Sequence, residues 1–336
     1  MTESIRNKFE GLKNVISNTP LLDIKYKYCG KERHIYAKYE AFNLTGSLKD
    51  RVAYHILYNA YEKGLIKPDD IIAEATSGNT GISFSAIGSY LGHKVIIYMP
   101  DWMSKERISL MESYGAEVRL VSREEGGFLG SIDLCEKLKE KGGVFLPYQF
   151  SNEENVNTHI IYTGEEFINQ LAKIGVVPES VVAGVGTGGT VMGLGLKFRQ
   201  HNPDCTIHPL EPLSSPTLST GFKVGSHRIQ GISDEFIPPI LKLSELNEIV
   251  SVDDSDSIIM ARMLSSALGL GVGVSSGANF IGACMVQNLY GDDRCVATIF
   301  PDDSKKYLST DYALKQIPSE NSILGNIELI SFSSVR

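Results

Sequence analysis

Positive charge is in deficit along this chain. Its 32 lysines and arginines stand against 40 aspartates and glutamates, for a net charge of −8. A nucleic-acid binder needs a basic footprint, so that class is set aside. No apolar run reaches the roughly 18 residues of a membrane span. The first residues, Met-Thr-Glu-Ser-Ile-Arg-Asn-Lys, lack the apolar centre of a secretory signal. The expectation is therefore a cytoplasmic protein with no nucleic-acid or membrane partner. Cysteine is sparse: Cys29, Cys135, Cys205, Cys284 and Cys295 are odd in number and widely spaced, without any CxxC pair. Neither a disulfide framework nor a zinc site is indicated, and Cys284 and Cys295 read as small core residues. The seven histidines are scattered, none at helical ligand spacing, so no metal is expected. Internal repeats and low-complexity segments are also lacking.

What is present is an alternation. The chain has 336 residues, which suggests two domains. Apolar strand-like runs at 71–74, 95–99, 117–121, 144–146, 180–183, 206–210, 249–252 and 295–300 are separated by helical patterns, one of them capped by Ser104. Such alternation implies right-handed βαβ units and mostly parallel sheets. Two series of them imply two α/β domains, each a twisted sheet flanked by helices. Ligands in such folds sit at the carboxyl ends of strands. The tail after Ile317 carries Ser, Asn and Gly and reads as weakly packed or disordered.

Two glycine-rich loops fall at strand ends. Gly184-Val185-Gly186-Thr187-Gly188-Gly189 satisfies GxGxxG, and Glu211 follows at the spacing of a ribose-binding acid. That segment alone fits a dinucleotide site. It equally fits a lone phosphate held by backbone N–H groups, with Thr187 and Thr190 adding hydroxyls, or a plain tight turn. Thr76-Ser77-Gly78-Asn79-Thr80-Gly81 combines hydroxyls, an amide and a helix start, as a carboxylate receptor does; an ordinary helix cap has the same residues. Ser275-Ser276-Gly277-Ala278-Asn279 reads as a third polar turn. Lys49, in Gly46-Ser47-Leu48-Lys49-Asp50-Arg51, reads either as a solvated lysine or as a nucleophile. A helix N-terminus and burial both favour its neutral amine.

In this order, these segments resemble the fold-type II pyridoxal-phosphate enzymes related to the tryptophan synthase β subunit, and most closely the cysteine synthase and cystathionine β-synthase family. The resemblance also rests on Asn18-Thr19-Pro20-Leu21, Gln149-Phe150, Ile229-Gln230-Gly231-Ile232 and Tyr307-Leu308-Ser309-Thr310, and spans residues 18–310. It implies a larger cofactor-binding domain of residues 1–42 and 154–318, a smaller mobile domain of 43–153, and a tail at 319–336. It implies pyridoxal 5'-phosphate as cofactor, a small amino-acid substrate and a homodimer, with no regulatory extension. Lys49 would form the Schiff base and move the α-proton. Gly186, Thr187, Gly188 and Thr190 would hold the phosphate, Asn79 would contact the ring oxygen, and Ser276 would face the pyridine nitrogen. Thr76, Ser77, Thr80 and Gln149 would bind the substrate carboxylate. A serine at the pyridine nitrogen makes a weak electron sink, which favours loss of a β-substituent and an aminoacrylate intermediate over transamination.

The chain departs from the family pattern after Gly231-Ile232, where it reads Ser233-Asp234-Glu235-Phe236 in place of small residues. Leu44 stands where proline is common, and Asp302-Asp303 replaces a small polar pair. An acid beside the β-carbon repels hydrosulfide and suits a general base toward water, with Asp234 placed better than Glu235. The expected reaction is L-cysteine losing hydrogen sulfide and gaining water to give L-serine, with Asp234 as base. The alternatives are O-acetylserine sulfhydrylase or cystathionine β-synthase-like thiol chemistry. From other classes come an NAD-dependent oxidoreductase and an inactive sensor.

Overall fold

The computed structural model describes residues 1–233 and 235–336. Helix α1 (Glu3–Lys13) precedes a hairpin of β1 (Leu21–Tyr28) and β2 (Lys31–Tyr39). Next come α2 (Lys49–Glu62), β3 (Ile71–Ala75), α3 (Asn79–Leu91), β4 (Val95–Pro100), α4 (Lys105–Ser113), β5 (Glu117–Val121), α5 (Gly127–Lys139) and β6 (Val144–Phe145). The chain continues through α6 (Glu154–Thr158), a π-turn (His159–Gly164), α7 (Glu165–Lys173), β7 (Ser180–Gly184), α8 (Gly189–His201) and β8 (Thr206–Pro212). It ends with α9 (Thr217–Thr220), β9 (Val250–Val252), α10 (Asp254–Leu268), α11 (Val274–Tyr290), β10 (Val296–Phe300) and β11 (Ile327–Val335).

Among the described residues the strands form two sheets, ordered β11-β1-β2-β10-β7-β8-β9 and β5-β4-β3-β6. The smaller is parallel throughout, and the larger is parallel from β2 to β9. Strands buried on both faces read as continuous apolar runs, and here successive residues face opposite layers. Val182 packs with Ile258, Leu264 and Phe280 from α10 and α11, whereas Val181 and Ala183 pack with Phe167, Leu194 and Phe198 from α7 and α8. In the smaller sheet Ile72 and Ile97 meet Val52, Phe84 and Met111, while Ala73 and Ile96 meet Cys135. Residues 1–42 divide in their packing. Phe9 and Leu12 of α1 join the core beneath the smaller sheet, whereas Leu22 and Ile24 of β1 join the larger.

Strand order reverses once in each sheet: between β7 and β10 in the larger, and between β3 and β6 in the smaller. Each reversal opens a crevice at the strands' carboxyl ends. The glycine loop after β7 and residues 301–303 after β10 border one crevice. The loop 76–81 after β3 and Gln149 after β6 border the other.

The expectation of a weakly packed tail is corrected. Leu324 and Ile327 are buried, and β11 pairs antiparallel with β1 from Leu21↔Val335 to Tyr28↔Ile327. The β1–β2 hairpin lies outside the strand-like runs read from the sequence, although in β1 Leu22, Ile24 and Tyr26 alternate with polar residues as in a half-buried strand. Its turn, Cys29-Gly30, has φ of 49° and 81°, the positive pair that a tight hairpin requires. Cys284 is buried as expected, but Cys295 is only half-buried. Among the described residues no helix is long and apolar enough to cross a membrane.

Candidate active site

Lys49 is the first residue of α2, and the residues on either side of it in the chain are anchored. The Leu48 N–H donates to Pro301 O at 2.8 Å, and Ser47 pairs with Asp302 in an isolated bridge, so the loop hangs from the end of β10. Asp50 is fully buried and accepts from the Thr45 N–H and hydroxyl at 2.7 and 2.6 Å and from the Ser83 hydroxyl at 2.7 Å. Burial holds its carboxyl above the usual range. Arg51 donates from Nε to Glu40 at 2.6 Å and from both Nη atoms to Glu166 at 2.9 Å.

The 76–81 loop joins β3 to α3. Its helix is capped by Gly78, whose N–H donates to Thr76 Oγ1 at 3.1 Å. A Cβ on Gly78 would lie 2.4 Å from Arg107 Nε, so only glycine fits beside that buried guanidinium. The Thr80 hydroxyl donates to Gln149 Oε1 at 2.7 Å, and Gln149 Nε2 donates to Ala75 O at 2.7 Å. The residues expected to bind a carboxylate thus come together across the smaller sheet's crevice. Asn79 Nδ2 donates to Asp302 Oδ2 at 2.7 Å, while Asn79 Oδ1 is buried without a hydrogen-bond partner.

Across the cleft, the loop after β7 brings Gly186, Thr187, Gly188 and Thr190 to the start of α8. A Cβ on Gly186 would stand 2.5 Å from Gly231 O, and Gly188 has φ of 86° with Leu241 against it. Two supporting residues escaped sequence reasoning. Asn155 Nδ2 donates at 2.8 Å to both Thr187 Oγ1 and Gln149 O, tying the two crevices together. His159 Nε2 lies 3.3 Å from Thr190 Oγ1, and its Nδ1 lies 3.0 Å from Thr163 Oγ1. Burial, with Lys49 adding, pushes this imidazole well below its usual value, so it is neutral. Their one sequence signal is the i, i+4 spacing in Asn155-Val156-Asn157-Thr158-His159.

Three expectations change. Ser275 to Asn279 form the first turns of α11 and not a turn between segments; Ser275 lines the cleft, and Ser276 is buried with an unpartnered Oγ. Ser104 precedes α4 but makes no cap bond, because its hydroxyl donates to Lys306 O across the lobes. Glu211 is fully buried and already accepts from the Leu218 N–H at 2.7 Å and from Ser219, which leaves it nothing for a ribose. Asp234 lies outside the described residues. Its neighbour Glu235 is paired with Lys223 at 2.7 Å, and the Phe236 ring packs edge-on against Phe150.

The cleft between the two sheets is bordered by Lys49, both glycine loops, Gln149 and Gly231. A helix N-terminus with glycines and two threonines suits a phosphate, and Lys49 supplies an amine. The unpartnered Asn79 Oδ1 and Ser276 Oγ are buried polar atoms that call for a polar ligand. These groups fit a phosphorylated aldehyde cofactor and offer nothing for a second nucleotide.

Comparison with known proteins agrees. The family model described as pyridoxal-phosphate dependent enzyme matches residues 12–302. A probable cysteine synthase of Bacillus subtilis (strain 168) is 40% identical over 299 residues, covering 89% of this chain and 96% of that protein. The crystal structure of a hydrogen sulfide-producing enzyme from Fusobacterium nucleatum is 52% identical, with a TM-score of 0.95, covering 98% of this chain and 100% of that one. An aspartate-to-asparagine mutant of a hydrogen sulfide-producing enzyme, solved with an α-aminoacrylate intermediate, is 53% identical with a TM-score of 0.95, covering 96% of this chain and 97% of that one.

Proposed function

Because this chain belongs to the family of pyridoxal-phosphate dependent enzymes, as one of the cysteine synthase type, we propose that it converts L-cysteine and water into L-serine and hydrogen sulfide. Its cofactor is pyridoxal 5'-phosphate, and its reaction class is β-replacement or β-elimination on an amino acid. The observation that carries the reading is convergence. One amine, Lys49, and two anion cradles of different make open into a single cleft. The bound cofactor supplies an electron sink that acidifies the α-carbon and lets a β-substituent depart, a modest sink where Ser276 is its partner.

The remaining work falls to the chain. Gly186, Thr187, Gly188 and Thr190 would hold the cofactor phosphate, with Asn79 and Ser276 at its ring. Thr76, Ser77, Thr80 and Gln149 would orient the substrate by its carboxylate, which places the α-carbon within reach of Lys49 Nζ. Lys49 takes the α-proton and returns it after exchange at Cβ. The Cβ–S bond breaks and hydrosulfide leaves with its electron pair. A water oxygen bonds to Cβ, and Asp234 takes the water's proton and gives it up to the departing hydrosulfide, which leaves as hydrogen sulfide. The related sulfide-producing enzymes support this direction, since one of them holds an aminoacrylate when an aspartate has become asparagine. A homodimer in the cytoplasm belongs to the same reading.

Asp234→Asn tests it. The variant is expected to release sulfide in its first turnover at near the parent rate and to form serine at least about tenfold more slowly in steady state, the size of a lost general base. Equal loss of both steps contradicts the role of Asp234. Turnover only with O-acetylserine and sulfide contradicts the direction and favours the synthase alternative.

A further inference from the structure

Glu74 is an acid in the middle of a parallel sheet, 6% exposed, one residue before the end of β3. Its two oxygens reach two different loops. Oε1 accepts from the Ala75 N–H at 3.0 Å, and Oε2 accepts from the Gln149 N–H at 3.2 Å. Gln149 is then fixed at both ends, by Glu74 at its backbone and by Thr80 and Ala75 at its side chain. One carboxyl group therefore spans the crevice between β3 and β6, directly behind the groups that would receive the substrate carboxylate.

Among the described residues its surroundings offer no counter-charge. Helix α5 presents Glu136, which is adverse to a negative charge at Glu74, and Cys135, whose thiol burial and Glu74 together keep protonated. Strand β6 brings only Val144 and Phe145, and α3 carries no charged side chain. Strand β4 brings Tyr98, whose hydroxyl is already engaged by Arg119 at 2.7 Å. Burial pushes the Glu74 carboxyl up to about 8, against the lowering effect of its two backbone bonds. At neutral pH it is uncharged.

We infer that Glu74 is a positioning residue for substrate binding, which lets the cleft take an anionic α-carboxylate only while its own carboxyl is uncharged. The inference rests on the reading that Thr76, Ser77, Thr80 and Gln149 hold that carboxylate. An ionised Glu74 would set a second negative charge behind the cradle, in a sheet interior where screening is weak. Linkage is reciprocal, so a bound carboxylate must raise the Glu74 pKa further.

The experiment compares cofactor-loaded parent and Glu74→Gln proteins, with KM for L-cysteine measured from about pH 6.5 to about pH 9.5, across the titration of the shifted acid. Glutamine is uncharged throughout and keeps one acceptor. The parent KM should rise roughly three- to tenfold more than that of the variant through this range, the size of a partly screened repulsion, while the kcat profiles keep the same shape. Parallel KM profiles overturn the inference. L-Serine binding, followed through the absorption of the bound cofactor, gives the same comparison without turnover. A protein that shows the pH effect there but releases no sulfide from cysteine fails the proposed reaction and keeps the inference. If the variant does not fold, carbon-13 spectra of glutamate-labelled parent protein decide. One carboxyl resonance should titrate near the value for Glu74 and move to higher pH with L-serine bound. Titration of every glutamate below about pH 6 overturns the inference.

Discussion

At the scale of single residues, the chemistry of Lys49 depends on neighbours that never meet the substrate. Arg51 lies in a buried network with Glu40, Glu166, Thr19 and Lys38, in which Lys38 Nζ donates to Thr19 O at 2.6 Å and to Gln170 Oε1 at 2.8 Å, and pairs with Glu166 at 3.0 Å. Burial raises the Glu166 carboxyl, but Arg51 and then Lys38 outweigh it and hold the group down to about 2. A carboxylate whose folded pKa is depressed stabilises above its ordinary value and loses that contribution as pH falls toward the folded one. Glu166→Gln should therefore lower stability by roughly 3 kcal/mol at neutral pH, as breaking a buried pair does. The deficit should shrink between about pH 4.5 and about pH 2. Urea unfolding across that range checks it, and a deficit independent of pH contradicts it. Little of this was legible in the chain. Lys49 could be singled out because its motif is local. Asn155, His159 and Glu74 could not, since their importance arises when distant segments fold against the loops. Asp302 was visible as a departure, and its partners Asn79 and Tyr307 give it a place.

At the scale of elements, legibility followed burial only in part. Strands covered on both faces, such as β4, β7, β8 and β10, read as apolar runs closed by glycine or proline, and the less buried β5 was legible as well. The β1–β2 hairpin and β11 were not. In β1, Leu22, Ile24 and Tyr26 are buried, while Asp23 and Lys25 between them are half-buried. The last strand, β11, is exposed along most of its length and is defined by its backbone pairing with β1. Backbone pairing leaves no apolar period to read. Deleting residues 327–336 removes that pairing and the burial of Ile327, and leaves β1 as an open edge. The melting midpoint should fall by about 2 to 6 °C, the scale of one or two kcal/mol in a chain of this size. KM for L-cysteine should not change, because β11 borders no part of the cleft. A loss of KM with an unchanged midpoint contradicts this division.

At the scale of the whole molecule, two sheets each reverse strand order once, and the two crevices face one another. The alternation of strands and helices was enough to anticipate two mostly parallel sheets with glycine loops at their carboxyl ends. It did not reveal that Asn155 would bind the two crevices together, or that residues 301–303 would carry the Lys49 loop. The loop proposed to hold the phosphate belongs to the larger sheet and the one proposed to hold the carboxylate to the smaller, with Lys49 on the strap between them. That arrangement fits a phosphorylated cofactor and a small amino acid held at opposite ends of one cleft. The central claim is the proposal that such a cleft adds water to what remains after sulfide departs. The direct measurement is product analysis of the cofactor-loaded protein given β-carbon-labelled L-cysteine as its sole substrate. Labelled L-serine and sulfide in equal amounts are predicted. Labelled pyruvate in place of serine, or no turnover until O-acetylserine and sulfide are supplied, would contradict it.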